Sequence, residues 1–327
     1  MHRTYSLSAY NRRKHGGRVQ KIPLDAGFSC PNRDGSISRS GCVFCNEKGS
    51  GSGMGERGLS IAEQWTFWRD HHRERNKLSL FAAYFQSYSN THGPIEGLAA
   101  ALEELRGLPD LVGLSVGTRP DCLDEAKLDL LALQRERLGI DEVSLELGLQ
   151  SACDETLVHI NRGHDVRAFA EATRAAHGRG LSVVAHLIAG LPTPYGREGR
   201  AELLASVDLV NRLPVSGVKF HNLYVCRGAA LERDHADGAY APMTQDEYLD
   251  WLGEALMRLR PDMVVHRLNG NPSKGELIAP KWAGNMRGLH NAVRNRLESG
   301  DVWQGKRNGA EDGPSPWFSP DFRGDVP

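Results

Sequence analysis

Seven short β-rich runs punctuate the 327 residues, and segments of helical periodicity separate most of them. The runs are Arg18–Leu24, Leu78–Gln86, Leu111–Gly117, Ile140–Gly148, Leu181–Gly190, Gly217–Cys226 and Met263–Leu268. From the second run onward, strand follows strand every 30–40 residues or so, the length of one strand–helix unit of a parallel sheet. Six units in succession predict an α/β fold, a partial (βα)6 TIM-like barrel with a small C-terminal α/β extension. Periodicity does not say whether the barrel closes, and an open doubly wound sheet has the same element order.

Local signals mark the helices between the runs. Ser60-Ile61-Ala62-Glu63 and Thr244-Gln245-Asp246-Glu247 are capping boxes, in which hydroxyl and carboxylate satisfy the first free amides of a helix. The first opens a helix toward Asn76, the second a helix through Tyr248–Leu259 that stops before Pro261. Further helices are expected from Pro94 to Gly107, over Leu123–Leu138 and over Asp165–His177. The expected organisation is a barrel core over 1–240, an extension over 241–305 and a flexible Gly/Pro-rich tail over 306–327.

Composition excludes some classes. A charged fraction of 25% at a net charge of −1 describes a globular chain, not a disordered one. The longest apolar stretch, Leu181–Leu191, is broken by His186 and is shorter than the ~18 residues of a membrane span. The first residues lack the apolar core of a secretory signal, so the expected location is the cytoplasm, where six cysteines are reduced and call for another explanation. The near-zero charge also conceals an asymmetry. Residues 1–21 carry +6 (Arg3, Arg12, Arg13, Lys14, Arg18, Lys21), residues 258–308 carry another +6, and the rest carries −13. Such ends are either solvated surface or one phosphate-binding patch.

The connection after the first strand, residues 26–59, is long and built from Gly, Ser, Asn and Cys. Loops of that length in a compact domain are usually functional. It holds Cys30, Cys42 and Cys45 in a C-x11-C-x2-C spacing. Structural zinc closes with four ligands and would need a partner such as His15, whereas a [4Fe–4S] cluster on three cysteines leaves one iron open. Spacing alone leaves zinc, cluster and a redox-active pair in play. Position adds to it, because these cysteines follow the first strand, at the strand ends where barrel active sites are built.

At this point the chain resembles the radical S-adenosylmethionine (SAM) superfamily, and within it the YhcC/YtqA group, related to the elongator catalytic subunit and to oxygen-independent coproporphyrinogen oxidase. The likeness is carried by Gly27-Phe28-Ser29-Cys30-Pro31-Asn32-Arg33-Asp34-Gly35 and Gly41-Cys42-Val43-Phe44-Cys45-Asn46. Gly117-Thr118-Arg119-Pro120-Asp121, Glu146-Leu147-Gly148-Leu149-Gln150-Ser151, Asn161-Arg162-Gly163-His164, Gly190-Leu191-Pro192 and Gln304-Gly305 add to it. It runs from about Tyr5 to Gly305.

The resemblance implies a barrel of the radical SAM type. It implies that Cys30, Cys42 and Cys45 ligate a [4Fe–4S] cluster whose open iron chelates SAM. One-electron cleavage would then give a 5′-deoxyadenosyl radical that takes hydrogen from the substrate. Phe44 matches the aromatic residue expected near adenine, or else plugs the local core. Gln150 and Arg162 fall where relatives place polar groups on the methionine end, and a guanidinium fork suits a carboxylate. Gln86 lies where many relatives carry Gly-Gly-Glu, which the chain lacks. Glu146 alternates with Ser144 and Gly148 on a strand and should face a polar cavity. His186 sits where some relatives have Asp near the ribose, or is a satisfied core histidine. Gly117 replaces a Glu found in relatives. Cys122, Cys153 and Cys226 are expected to be bystander thiols.

The implied partners are a flavodoxin- or ferredoxin-type electron donor and tRNA, reached through the basic ends, with no membrane. The implied substrate is the wobble uridine of tRNA with an aminomethyl-type group at C5. A small-molecule substrate, or a non-catalytic metal-binding RNA-interaction protein, are the alternatives.

Overall fold

Seven parallel strands lie side by side in chain order, so no crossover skips a neighbour. The computed structural model describes residues 2–47, 49, 58–273 and 275–326; part of the cysteine loop (48 and 50–57) lies outside the described residues. The strands are β1 (Val19–Leu24), β2 (Leu80–Phe85), β3 (Leu111–Thr118), β4 (Glu142–Gln150), β5 (Ser182–Ala189), β6 (Gly217–Asn222) and β7 (Val264–Arg267). An uninterrupted order is what a curling barrel gives, whereas a doubly wound sheet reverses direction at a switch point. Among the described residues β1 and β7 do not pair, so the sheet is an open partial barrel. Helix α1 (Leu7–His15) contacts both edge strands, and the segment before it is tied on by the Val265 amide, which donates to the Tyr5 carbonyl at 2.8 Å.

The helices that follow are α2 (Ile61–Asn76), α3 (Ile95–Glu103), α4 (Glu125–Ala132), α5 (Val166–His177), α6 (Arg200–Arg212), α7 (Gln245–Arg258) and α8 (Met286–Ser299). Both capping boxes form: Ser60 Oγ accepts from Glu63 N at 3.3 Å and Thr244 Oγ1 from Glu247 N at 3.2 Å. The helix expected over Leu123–Leu138 is broken at Leu133, and a short turn over Gln134–Arg137 completes it.

Strand alternation sorts the two faces of the sheet. Leu145 and Leu147 on β4, Val183 and Leu187 on β5, and Val218 and Phe220 on β6 are buried in the core between sheet and helices. Their alternate neighbours Glu146, Gly148, His186, Lys219 and His221 line the barrel interior. The interior therefore collects polar residues that each strand can place there without disturbing the apolar layer. The segment after Lys306, expected to be a flexible tail, carries Phe318 at 1% exposure, packed with Tyr5, Ala9 and Val264. Its apolar side chains outweigh the local Gly and Pro content, since burying one such ring stabilises by roughly 1.5–3 kcal/mol.

Candidate active site

The described part of the cysteine loop leaves the carboxyl end of β1. Arg33 N and Asp34 N turn back onto the Cys30 carbonyl at 2.8 and 3.1 Å, and Cys45 N donates to the Cys42 carbonyl at 2.9 Å. These turns aim three thiols at one cavity of about 210 Å³, which Gln86, Gln150, Arg162 and His186 also line. A second cavity of about 350 Å³ shares Phe44, Cys45, Gln86, Gln150, His186 and His221 with the first. The loop is anchored from below. Asn161 Nδ2 donates to the Gly41 carbonyl at 2.7 Å, and Arg162 Nη1 lies 3.8 Å from Cys42 Sγ.

Several polar groups here have no partner among the described residues. Gln150 Oε1, Asn32 Oδ1 and Arg119 Nη1 are buried without a hydrogen bond. Arg119 is 2% exposed and held by Asp121 through Nε and Nη2 (2.9 and 2.7 Å). Gly148 is required by this packing: a Cβ there would stand 2.4 Å from both Arg162 Nη2 and Gln150 Nε2.

Deeper in the barrel, Glu146 is the hub. Its Oε1 lies 2.5 Å from Lys21 Nζ, its Oε2 contacts Lys219 Nζ, and His186 Nε2 lies 3.1 Å from Oε2. Burial alone would raise this carboxyl, but Lys21 and Lys219 hold it well below the usual carboxylate range. Burial pushes His186 down to about 4, with Lys219 adding to the effect against Glu146, and it pushes Lys219 down to about 8. Sequence reasoning found Glu146 but missed Lys21, Tyr84, Lys219, His221 and Arg267. The signal was available in part, since Lys219 and His221 alternate with Val218 and Phe220 just as Glu146 alternates with Leu145 and Leu147.

The remaining expectations can be placed. Phe44 lines the two cavities and packs against the small apolar cluster that includes Leu157, Ile160 and Leu191. Arg162 already gives Nη2 to the Gly148 carbonyl (3.0 Å) and Nε to His164 (2.9 Å), which leaves less of its fork for a ligand. His15 pairs with Asp141 at 2.7 Å, beside the amino end of β4 and remote from the thiols. Among the described residues no group of three His, Cys, Asp or Glu side chains is placed to hold one metal ion. A single zinc needs its thiolates within roughly 4 Å of one another, whereas cluster cysteines bind separate irons and stand further apart. Three thiols facing one cavity are the donor set of a three-cysteine cluster site. Where relatives have Glu, a Cβ on Gly117 would meet the Phe85 carbonyl at 3.1 Å and the Tyr84 hydroxyl at 3.4 Å, so Tyr84 fills that space. Cys226 lines the second cavity, with Sγ 3.5 Å from the Phe44 carbonyl.

The basic ends meet, but partly in the wrong place for this mouth. Arg3 pairs with Asp301, and Gln304 joins the backbone of Arg3 and Tyr5. Lys14 pairs with Glu142, at the amino end of β4, and Lys21 points into the barrel. No helix among the described residues is long and apolar enough to cross a membrane.

The neutral interior histidines set a pH dependence. His186 has a folded value below its ordinary 6.5, so on acidification the unfolded chain takes up a proton that the native state refuses. Stability is therefore expected to fall as the pH drops from about 6.5 to 5, with His186 contributing up to about 2 kcal/mol. Urea unfolding across that range checks it, and His186→Gln should show a shallower fall.

Comparison with known proteins gives the family. The Radical_SAM C-terminal domain family matches residues 215–299. The uncharacterized protein YtqA of Bacillus subtilis is 34% identical over 93% of this chain and 92% of its own length. Protein YhcC of Escherichia coli is 38% identical over 84% of this chain and 85% of its own. The chain belongs to the YhcC/YtqA group of the radical SAM family, and it is a radical SAM enzyme. Among solved structures, the archaeal Elp3 of Methanocaldococcus infernus superposes with a TM-score of 0.65 at 17% identity, covering 88% of this chain and 64% of that one, which shows a shared fold.

Proposed function

We propose that Cys30, Cys42 and Cys45 hold a [4Fe–4S] cluster, that SAM binds beside it, and that the substrate is the wobble uridine of tRNA with an aminomethyl-type group at C5. The observation that carries the chemistry is the opening of three thiols from one loop onto a cavity walled by unpartnered polar groups. A three-cysteine cluster with SAM at its open iron supplies one-electron cleavage of the sulfonium and hence a hydrogen-abstracting radical. The protein's part is to hold and shield. Arg33, whose Nη2 donates to the Cys45 carbonyl at 2.9 Å, and Arg119 place positive charge beside the thiolates. Burial pushes the Cys45 thiol up and Arg33 opposes it; a bound cluster would take the place of the proton. Gln150 Oε1 is free to accept from the amine of SAM, and Phe44 offers an apolar ring to the base. The Glu146 network lies at the base of the cavity, with the carboxylate itself fully buried. A flavodoxin- or ferredoxin-type protein supplies the electron.

The tRNA assignment rests on the family resemblance and on surface charge. Lys281, Arg287 and Arg294 are exposed and make no ion pair among the described residues. They follow β7 on the segment whose Gly270 amide reaches Asn222 at the end of β6, beside the mouth. Such phosphate contacts supply most sequence-independent affinity for nucleic acid. Nucleoside analysis of tRNA from a deletion strain tests it: the C5 modification at the wobble uridine should be lost and return with the intact gene. An unchanged profile with intact SAM cleavage would sink the tRNA assignment and leave a small-molecule substrate.

A further inference from the structure

The charges around the cavity do not balance at depth. Near the thiols, Arg33, Arg119 and Arg162 face the negative charge that three thiolates bring. Below them, Lys21, Lys219 and Arg267 stand against Glu146, the one carboxylate lining the first cavity among the described residues. Glu146 serves both lysines. Arg267, exposed at the end of the edge strand β7, lines both cavities and makes no ion pair among the described residues; Glu276, on the wall of the second cavity, accepts from Asn46 Nδ2 at 3.1 Å. Beside this excess stands His221, whose ring lies 5.7 Å from that of His186 and whose Nε2 is buried without a partner. Burial pushes Lys219 down to about 8; Glu146 opposes that, and Lys21 and Arg267 add to it.

We propose that this depth of the barrel binds an anionic group of the substrate, a phosphate or a carboxylate, between Arg267, Lys219 and His221. The donors suit it: a guanidinium fork, an ammonium with one of three donors committed to Glu146, and an imidazole nitrogen without a partner. The assignment deepens the reading of the cavity as the reaction chamber, and it holds whether or not the substrate is tRNA. It makes these residues selectors of which substrate enters.

The test is calorimetric titration of inorganic phosphate, and separately of acetate, into the reconstituted, SAM-saturated full chain, so that the SAM carboxylate is already placed. Binding of either anion is expected, weakened at least tenfold in Arg267→Met, partly restored in Arg267→Lys, and unchanged in Arg106→Met, a surface residue beside Glu103 that lines neither cavity. Arg267 makes no ion pair, so its replacement leaves no buried charge behind. Phosphate alone binding assigns a phosphate-bearing substrate, acetate alone a carboxylate-bearing one, and both together the shared anionic class. No binding of either, or equal binding in Arg267→Met, overturns the proposal. The readout needs no turnover: Arg267-dependent binding without SAM cleavage would fail the proposed function and leave this inference standing.

Discussion

Replacing Cys42 by Ala is expected to abolish reductive SAM cleavage, lowering the 5′-deoxyadenosine yield by on the order of a thousandfold, the scale of losing a group that transition-state chemistry cannot replace. Cys42 is the most enclosed of the three thiols, 6% exposed, with Asn32 Nδ2 3.5 Å from its sulfur and Arg162 Nη1 at 3.8 Å. Deleting it leaves two cysteines for a cluster that needs three, and it strands a buried guanidinium that had faced a thiolate. Anaerobic reconstitution followed by iron analysis and product quantification checks both halves. The wild-type chain should take up about four irons, and the variant should lose the brown chromophore. Cys226→Ala provides the comparison, because its sulfur lines the neighbouring cavity yet lies outside the C-x11-C-x2-C set. It should keep its iron. Retention of full iron and cleavage in Cys42→Ala would remove the cluster assignment, and stoichiometric zinc in the wild type would do the same.

That three cysteines could be singled out from the chain reflects a local property. Two lie in one turn and the third in the same loop, so their convergence is written in spacing. The barrel was legible for a related reason: the β-rich runs recur at the period of a strand–helix unit, and each match is a local event. One helix that went unread, α1, is mostly polar by composition. It is held by tertiary contacts, by Ser6 bridging to Val265 and by Tyr5 packed with Phe318. The tail failed for the converse reason, since Gly and Pro content reports local stiffness and not whether Phe318 has a pocket waiting.

The interior network shows where sequence reasoning runs out. Glu146 stood out because a carboxylate interrupts an apolar alternation on one strand. Its partners sit on β1, β5 and β6, up to 125 residues away, and nothing local tells Lys21 that it will meet Glu146 and not solvent. Lys21 in particular was counted as part of a basic amino-terminal surface, yet it is an interior residue. Charge counted along the chain overstates the patch for that reason, since Lys14 and Lys21 are paired with β4.

Glu146→Gln is expected to destabilise the fold by about 3–5 kcal/mol near neutral pH, the range for removing one partner of a buried ion pair. The carboxylate has 0% of its side chain exposed and faces Lys21, Lys219 and His186; Gln fills nearly the same volume but leaves both ammonium groups without a counter-charge. The pH dependence separates this cause from simple loss of packing. Glu146 has its folded value lowered, so its contribution is complete above the ordinary carboxylate range and is lost as the pH falls through that lowered value. Lys219 works at the other end. Its folded value, about 8 with Glu146 present, must fall further without it, while the unfolded chain keeps the ordinary 10.5. Between those values the unfolded state binds more protons, so stability rises with pH, and in the variant that rise begins earlier. The gap between wild type and Glu146→Gln should therefore narrow toward about pH 9 as the stranded ammonium loses its proton. Lys219→Met added to Glu146→Gln should recover part of the loss at neutral pH by removing the same ammonium. Urea unfolding of the three proteins at two pH values reads all of this. A loss under about 1 kcal/mol, or a gap that does not change with pH, would mean that water reaches the barrel floor and screens the network, which would also deprive the cavity above it of its dry base.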